Sequence, residues 1–335
     1  MKTIAKAALA GALALSIPLG AGAQQMSGAN SDAELLKAYE DALVGKTIAY
    51  VPQILASPLA TQWGRVIEAE AAEEGMTYIV RDPNWNAAAQ LQVVSALIDE
   101  KPDVLVVQNP NVTFLAKELK RAEEAGIYVI QINMASNYKT DVFVGADWIK
   151  YGQMMAEEVI KQCGKDTDTS HKVQIVMGEA TAGASLIQTR SLLEALKADD
   201  SIEVVSNQAA DWDASKAYAL TTTVIQQHPD LCASVGMWGV MQLGAAQAIK
   251  EAGKLDQVTV LASGEGVRSD CDALQQGLFD RYINYDARLQ GHDVMRAAKF
   301  LLQSGQPAGS FRMADFSYSV WQDKETGVGA ACFDL

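Results

Sequence analysis

The chain has 335 residues, with 41 acidic and 27 basic side chains and a formal charge of −14. A surface this acidic repels phosphate backbones, which argues against nucleic acid as a partner, and mainly serves solubility. The length suits two domains of ordinary size behind an N-terminal export segment.

That segment comes first in the chain. Lys2 and Lys6 precede an apolar run from Ala7 to Leu19, followed by Gly20-Ala21-Gly22-Ala23. A charged start, a short apolar stretch and small residues at −3 and −1 form a secretory signal, with cleavage expected after Ala23. The run is shorter than the roughly 20 apolar residues a membrane span needs. Gln24, not a cysteine, directly follows the cleavage site, so a lipid anchor is not expected. Residues 24–44 form an extension, with a short charged helix predicted over 26–44.

Thr47–Val51 then reads as a buried strand. Helical spacing runs from Pro58 to Glu74 and stops at Gly75, a usual helix-ending glycine. Strand, helix, strand, helix and strand follow over 77–80, 86–100, 103–107, 112–125 and 127–132. Apolar strands alternating with amphipathic helices predict a parallel sheet covered on both faces, with right-handed crossovers. After a short strand at 142–145 and a helix to about Gln162, the alternation begins again. Strands are predicted at 173–177, 202–206, 233–236 and 258–262, with helices at 183–198, 214–227 and 239–252. The fold class is therefore α/β, with two doubly wound, Rossmann-like domains. No linker rich in Pro, Gly or Ser separates them, which suits domains joined by several short crossings.

Several segments together resemble the periplasmic sugar-binding proteins of the ribose and galactose type, the type I solute-binding proteins of ABC transporters. They are Ala56-Ser57-Pro58, Lys101–Val107, Ala125–Ile130, Ala210-Asp211-Trp212-Asp213, His228-Pro229-Asp230 and Gly244–Ile249 with Ala252-Gly253. Their order and spacing run from about Thr47 to Val320. The resemblance implies three hinge crossings, expected near Ala146–Asp147, Tyr285–Asp286 and Phe311–Met313. It assigns 45–146 and 286–311 to an N-terminal lobe, and 147–285 and 312–335 to a C-terminal lobe. It also implies a periplasmic monomer that closes over a small ligand and delivers it to a membrane permease.

In open α/β sheets, ligands sit beyond the carboxyl ends of the strands. The candidates placed there are Gln53, Ser57, Asn109 and Asn133 in the first domain, and Trp212, Trp238, Glu265 and Tyr285 in the second. Asp147 and Trp148 stand at the first crossing. Trp212 falls where the family keeps an aromatic that stacks on a sugar ring, and Arg190 lies near a ligand-gripping arginine. Elsewhere the family pattern fails. Asn133-Met134 replaces Asp-Arg, Trp238-Gly239 replaces Asn-Asp, Ser263-Gly264-Glu265 replaces an aromatic-Asp turn, Tyr285 replaces Gln, and Leu59-Ala60 replaces two aromatics. The changes remove charge and add aromatics with polar tips. They imply a small neutral ligand less hydroxylated than ribose, or one with an apolar or aromatic face. Structural roles compete for several of these residues. Asp147 reads more simply as a helix cap, Glu265 as a carboxylate at a helix N-terminus, Trp63 as core, and the methionines as core filler, with Met134 and Met237 exceptions to watch.

Cys163, Cys232, Cys271 and Cys332 allow three full pairings and form no C-x-x-C. Cys163 ends a helix of the second domain and Cys332 lies in the tail, so a Cys163–Cys332 bridge is expected, with Cys232 and Cys271 paired or free. His171, His228 and His292 are scattered, so no metal site is expected. No G-x-S-x-G, G-x-x-x-x-G-K-[ST] or H-E-x-x-H appears, so neither catalysis nor a cofactor is expected. A periplasmic sensor would use the same cleft.

Overall fold

The computed structural model describes residues 31–326 and 332–334. The secretory signal and its cleavage point lie outside the described residues. The chain divides into two compact units, Met1–Asp41 and Ala42–Leu335. Within the first, the described residues belong to helix α1 (Ser31–Leu43), where Lys37 pairs with Asp41 one turn on at 2.8 Å.

The second unit carries two six-stranded sheets. The first is built from β1 (Thr47–Val51), β2 (Thr77–Val80), β3 (Val104–Val107), β4 (Tyr128–Ile132), β5 (Val142–Gly145) and β11 (Met313–Phe316), in the order β2-β1-β3-β4-β5-β11. The second uses β6 (Lys172–Met177), β7 (Glu203–Ala209), β8 (Ala233–Gly236), β9 (Thr259–Gly264), β10 (Arg281–Asn284) and β12 (Val320–Gln322), in the order β7-β6-β8-β9-β10-β12. Every pairing is parallel except β10 with β12. All four residues of β3 are buried, as a strand covered on both faces requires.

Helices cover these sheets. They are α2 (Pro58–Glu73), α3 (Ala87–Glu100), α4 (Ala116–Glu124), α5 (Trp148–Cys163), α6 (Gly183–Leu196), α7 (Ala214–Gln227), α8 (Gly239–Glu251), α9 (Arg268–Gln275) and α10 (Ala287–Ser304). Local chemistry sets where they start. The Ser57, Asn86, Asp147, Asp213 and Asp286 side chains each accept from the backbone amide three residues on, capping α2, α3, α5, α7 and α10. The first sheet's core joins Val51, Leu97, Leu105 and Val129. The second's joins Val224, Ile249, Val260 and Phe279.

Three expectations change. Helix α4 starts at Ala116, not 112, because the Asn111 carboxamide accepts from the Thr113 and Phe114 amides and holds a turn. The third crossing is not near Phe311–Met313. Residues Met313–Phe316 lie beside β5 in the first sheet, so the chain passes to the second sheet over 317–319. Asp141 causes this: its carboxylate accepts from the Gly309 and Phe311 amides, and its carbonyl accepts from the Met313 amide at 2.9 Å, which lays the segment along β5.

The disulfide expectation also changes. The bridges are Cys163–Cys232 and Cys271–Cys332, with no Cys163–Cys332 bond. Cys163 ends α5 and Cys232 directly precedes β8, against which α5 packs. The tail instead runs beside the start of α9. Phe333 bridges to Val267, its amide donates to the Gly266 carbonyl and its carbonyl accepts from Arg268, which brings Cys332 onto Cys271. Non-reducing peptide mapping should recover Cys163–Cys232 and Cys271–Cys332, and a linked Cys163–Cys332 peptide would refute this pairing. Each bridge closes a long loop, so replacing Cys271 and Cys332 with Ser should cost roughly 2–4 kcal/mol in denaturant unfolding.

Candidate functional site

The two sheets point their carboxyl ends at one cleft holding about 480 Å³ of space not filled by atoms, part of it open to solvent. From the first sheet's side come Gln53 after β1, Gln108 after β3, and Asn133 and Met134 after β4. Ile54, Ser57, Leu59 and Trp85 complete that side. From the second sheet's side come Ala184 on α6, Trp212 after β7, Met237 and Trp238 after β8, and Tyr285 after β10. Trp148, at the first crossing, faces the same space. Among the described residues, no charged side chain lines it.

The first side rests on a web of side-chain amides. The Gln53 amide N–H donates to Gln108 Oε1 at 3.1 Å, and its side chain donates to the Asn109 carbonyl at 2.6 Å. Asn109 Nδ2 donates to Gln131 Oε1 and to the Met134 carbonyl. Gln90 donates to the Pro52 and Gln108 carbonyls. Buried amides linked in this way hold a wall at a defined shape. Asn109 Oδ1 within this web, and Asn133 Oδ1 and Trp212 Nε1 in the cleft lining, are buried and have no hydrogen-bond partner among the described residues. An unpaired buried donor or acceptor costs roughly 1–3 kcal/mol, which a ligand carrying the matching group removes.

The second side is aromatic. Trp212 and Trp238 meet edge to face at 6.2 Å, and Trp148 meets Tyr285 the same way at 5.6 Å. The Trp148 indole donates to the Asn133 carbonyl at 2.8 Å, so one ring ties the two sides together. Trp85, Asn133 and Trp212 all have left-handed backbones, with φ of 61°, 61° and 63°. Such conformations cost energy in non-glycine residues and persist where the surroundings impose them.

Seven of the sequence candidates line the cleft: Gln53, Ser57, Asn133, Trp148, Trp212, Trp238 and Tyr285. Four do not. Asn109 is fully buried behind the wall as part of the amide web. Asp147 caps α5 by accepting from the Lys150 amide at 3.0 Å. Arg190 is exposed on α6, outside the cleft lining. Glu265 is fully buried behind Trp238 and Tyr285, and its Oε2 accepts from both. Trp63 is core, as its helical spacing predicts, and donates to Gln290. Met134 and Met237 line the cleft. Sequence reasoning missed Ile54, Gln108 and Ala184. Gln108 precedes Asn109 at the end of β3, and only the pleat decides which of the two faces outward. Among the described residues, no group of His, Cys, Asp and Glu side chains could hold a metal ion.

Trp212 depends on Gly178, where a β-carbon would overlap its ring. Gly178→Ala should therefore displace that indole and destabilise the protein by roughly 1–3 kcal/mol. Denaturant unfolding followed by tryptophan emission checks this; an unchanged midpoint and spectrum would refute the packing.

Two largely parallel sheets that share a cleft at their strand ends define a ligand-binding α/β protein. The chain belongs to the periplasmic binding protein family, whose domain model matches residues 48–307. It is 28% identical over 209 residues to the ribose import binding protein RbsB of Bacillus subtilis, covering 62% of this chain and 67% of that one. It is also 28% identical over 225 residues to the D-allose-binding periplasmic protein of Escherichia coli, covering 64% and 71%. In fold it matches an ABC transporter solute-binding protein from Bacillus halodurans with bound myo-inositol, with a TM-score of 0.74, 23% identity and coverage of 84% and 96%. One from Agrobacterium vitis with bound D-fucose matches at a TM-score of 0.74 and 19% identity, covering 83% and 96%.

Proposed function

We propose that this protein is exported, captures a small neutral ligand between two lobes, and hands it to the membrane permease of an ABC importer. The lobes are 45–145 with 287–316, and 148–284 with 320–326 and 332–334, hinged at three crossings. Export follows cleavage after Ala23, and the mature chain acts as a monomer. The observation that carries the reading is the cleft itself. Amide-bearing and aromatic residues from both sheets surround one space, with an open acceptor at Asn133 Oδ1 and an open donor at Trp212 Nε1.

Those open groups call for a ligand with a donor on one side and an acceptor on the other, as a hydroxylated ring has. Flat indole faces suit its C–H surface. A monosaccharide, deoxy sugar or polyol meets both demands. The named ligands of relatives — ribose, allose, myo-inositol, fucose — belong to this class. A second reading, a partly apolar or aromatic small molecule, is favoured by the four indoles and one phenol on an uncharged lining. Among the described residues the cleft pairs no nucleophile with a base, which supports a ligand that leaves chemically unchanged.

The test is thermal-shift screening of the mature chain against pentoses, hexoses, deoxy sugars, polyols and small aromatics. A binder at a hundredfold excess over its Kd adds about 2.7 kcal/mol of stability. Trp212→Ala should weaken that binder by roughly 30-fold or more, as loss of a central aromatic anchor does. Absence of a shift with every class, or full affinity in the Trp212 variant, would refute the assignment.

A further inference from the structure

The aromatic wall has a second layer. Glu265 follows β9 and Asp270 lies in the first turn of α9, and both are fully buried. Glu265 Oε2 accepts from Trp238 Nε1 at 2.7 Å and from the Tyr285 hydroxyl at 3.4 Å. Asp270 Oδ2 accepts from the Tyr282 hydroxyl at 2.9 Å, whose oxygen in turn accepts from the Gly266 amide. The remaining oxygens, Glu265 Oε1 and Asp270 Oδ1, have no hydrogen-bond partner among the described residues. Gly239, at the start of α8, leaves the room that Asp270 occupies, since a β-carbon there would overlap its carboxylate.

The groups acting on this pair come from every neighbouring element. Trp238 precedes α8, Ser269 lies beside Asp270 on α9, Tyr282 is on β10, Tyr285 follows it, and Tyr151 on α5 faces Tyr285. Among the described residues, no Lys, Arg or His is prominent among the groups acting on either carboxyl. Two neighbouring carboxylates that are both fully buried do not both stay charged. Burial pushes Glu265 up to about 7, against the hydrogen bonds from Trp238 and Tyr285, which favour its charged form. Burial pushes Asp270 well above the usual carboxylate range, and the charge on Glu265 pushes it further. An ionised Glu265 accepts the Trp238 indole in a charge-assisted bond; a protonated one holds it more weakly. Both residues anchored on Glu265 line the cleft.

We propose that Glu265 is a positioning residue for the ligand wall, anchoring Trp238 and Tyr285 when ionised and loosening them when it takes up a proton, with Asp270 as its uncharged neighbour. The anchoring stands on the contacts alone; its bearing on capture rests on the function proposed above.

The test needs no ligand, so its failure is distinct from failure of the transport reading. In full-length mature protein carrying 15N-tryptophan, the indole N–H resonance that disappears in Trp238→Phe should move with a midpoint near neutral pH. The movement should vanish in the isosteric Glu265→Gln. A Trp238 resonance constant from pH 5.5 to 8.5, or one that titrates equally in Glu265→Gln, would overturn the proposal. Stability gives a second readout. A carboxyl raised in the folded state contributes stability below its unfolded pKa and loses it as pH rises through the folded value of about 7. The Tm of Glu265→Gln relative to wild type should therefore rise between pH 4.5 and about 7, then level off. A Tm difference independent of pH would likewise overturn it.

Discussion

The hydrogen bond from Trp148 to the Asn133 carbonyl holds the site together. Trp148 begins α5, the first element after the chain leaves the first sheet. Its indole reaches back to the end of β4, the neighbour of the strand it has just left, while its ring packs edge-on against Tyr151 and Tyr285. One nearly buried side chain therefore touches both halves of the cleft. The left-handed backbone of Asn133 presents that carbonyl. The amide web beneath the first side and the carboxyl pair beneath the second fix the surfaces on which this contact closes.

The two sides are built differently. The first has a polar surface of carboxamides that support one another through Gln53, Asn109 and Gln131. The second has an apolar surface of rings, with polar tips directed inward to Glu265 or left open, as at Trp212. A ligand between them meets hydrogen-bonding groups on one face and π surfaces on the other. Covalent closures brace the second sheet: one bridge ties the end of α5 to the start of β8, and the other ties the tail to α9 beside Asp270.

Much of this architecture was legible in residue patterns, because a parallel sheet covered on both faces writes itself as apolar runs alternating with amphipathic helices. Strands β1, β3, β4 and β8 fall within a residue of their predicted bounds. The aromatic content of the cleft was legible too, since residues following parallel strands gather at one edge of the sheet. Arg190 shows the limit: it came from a resemblance alone, and the helix turns it to solvent. Glu265 was placed near the cleft but one layer too far forward, because a side chain's depth depends on its neighbours' bulk and not on its position after a strand.

Apolar periodicity, helix caps and strand-end placement together determined an α/β chain with two sheets and a cleft rich in indoles. These follow from local rules, each readable within a dozen residues. Only the tertiary structure decided the cysteine pairing, the side on which Met313–Phe316 lies, and which of Gln108 and Asn109 meets the cleft. Each of those depends on contacts between segments far apart in the chain, such as Asp141 with Gly309 or Val267 with Phe333, which local spacing does not encode.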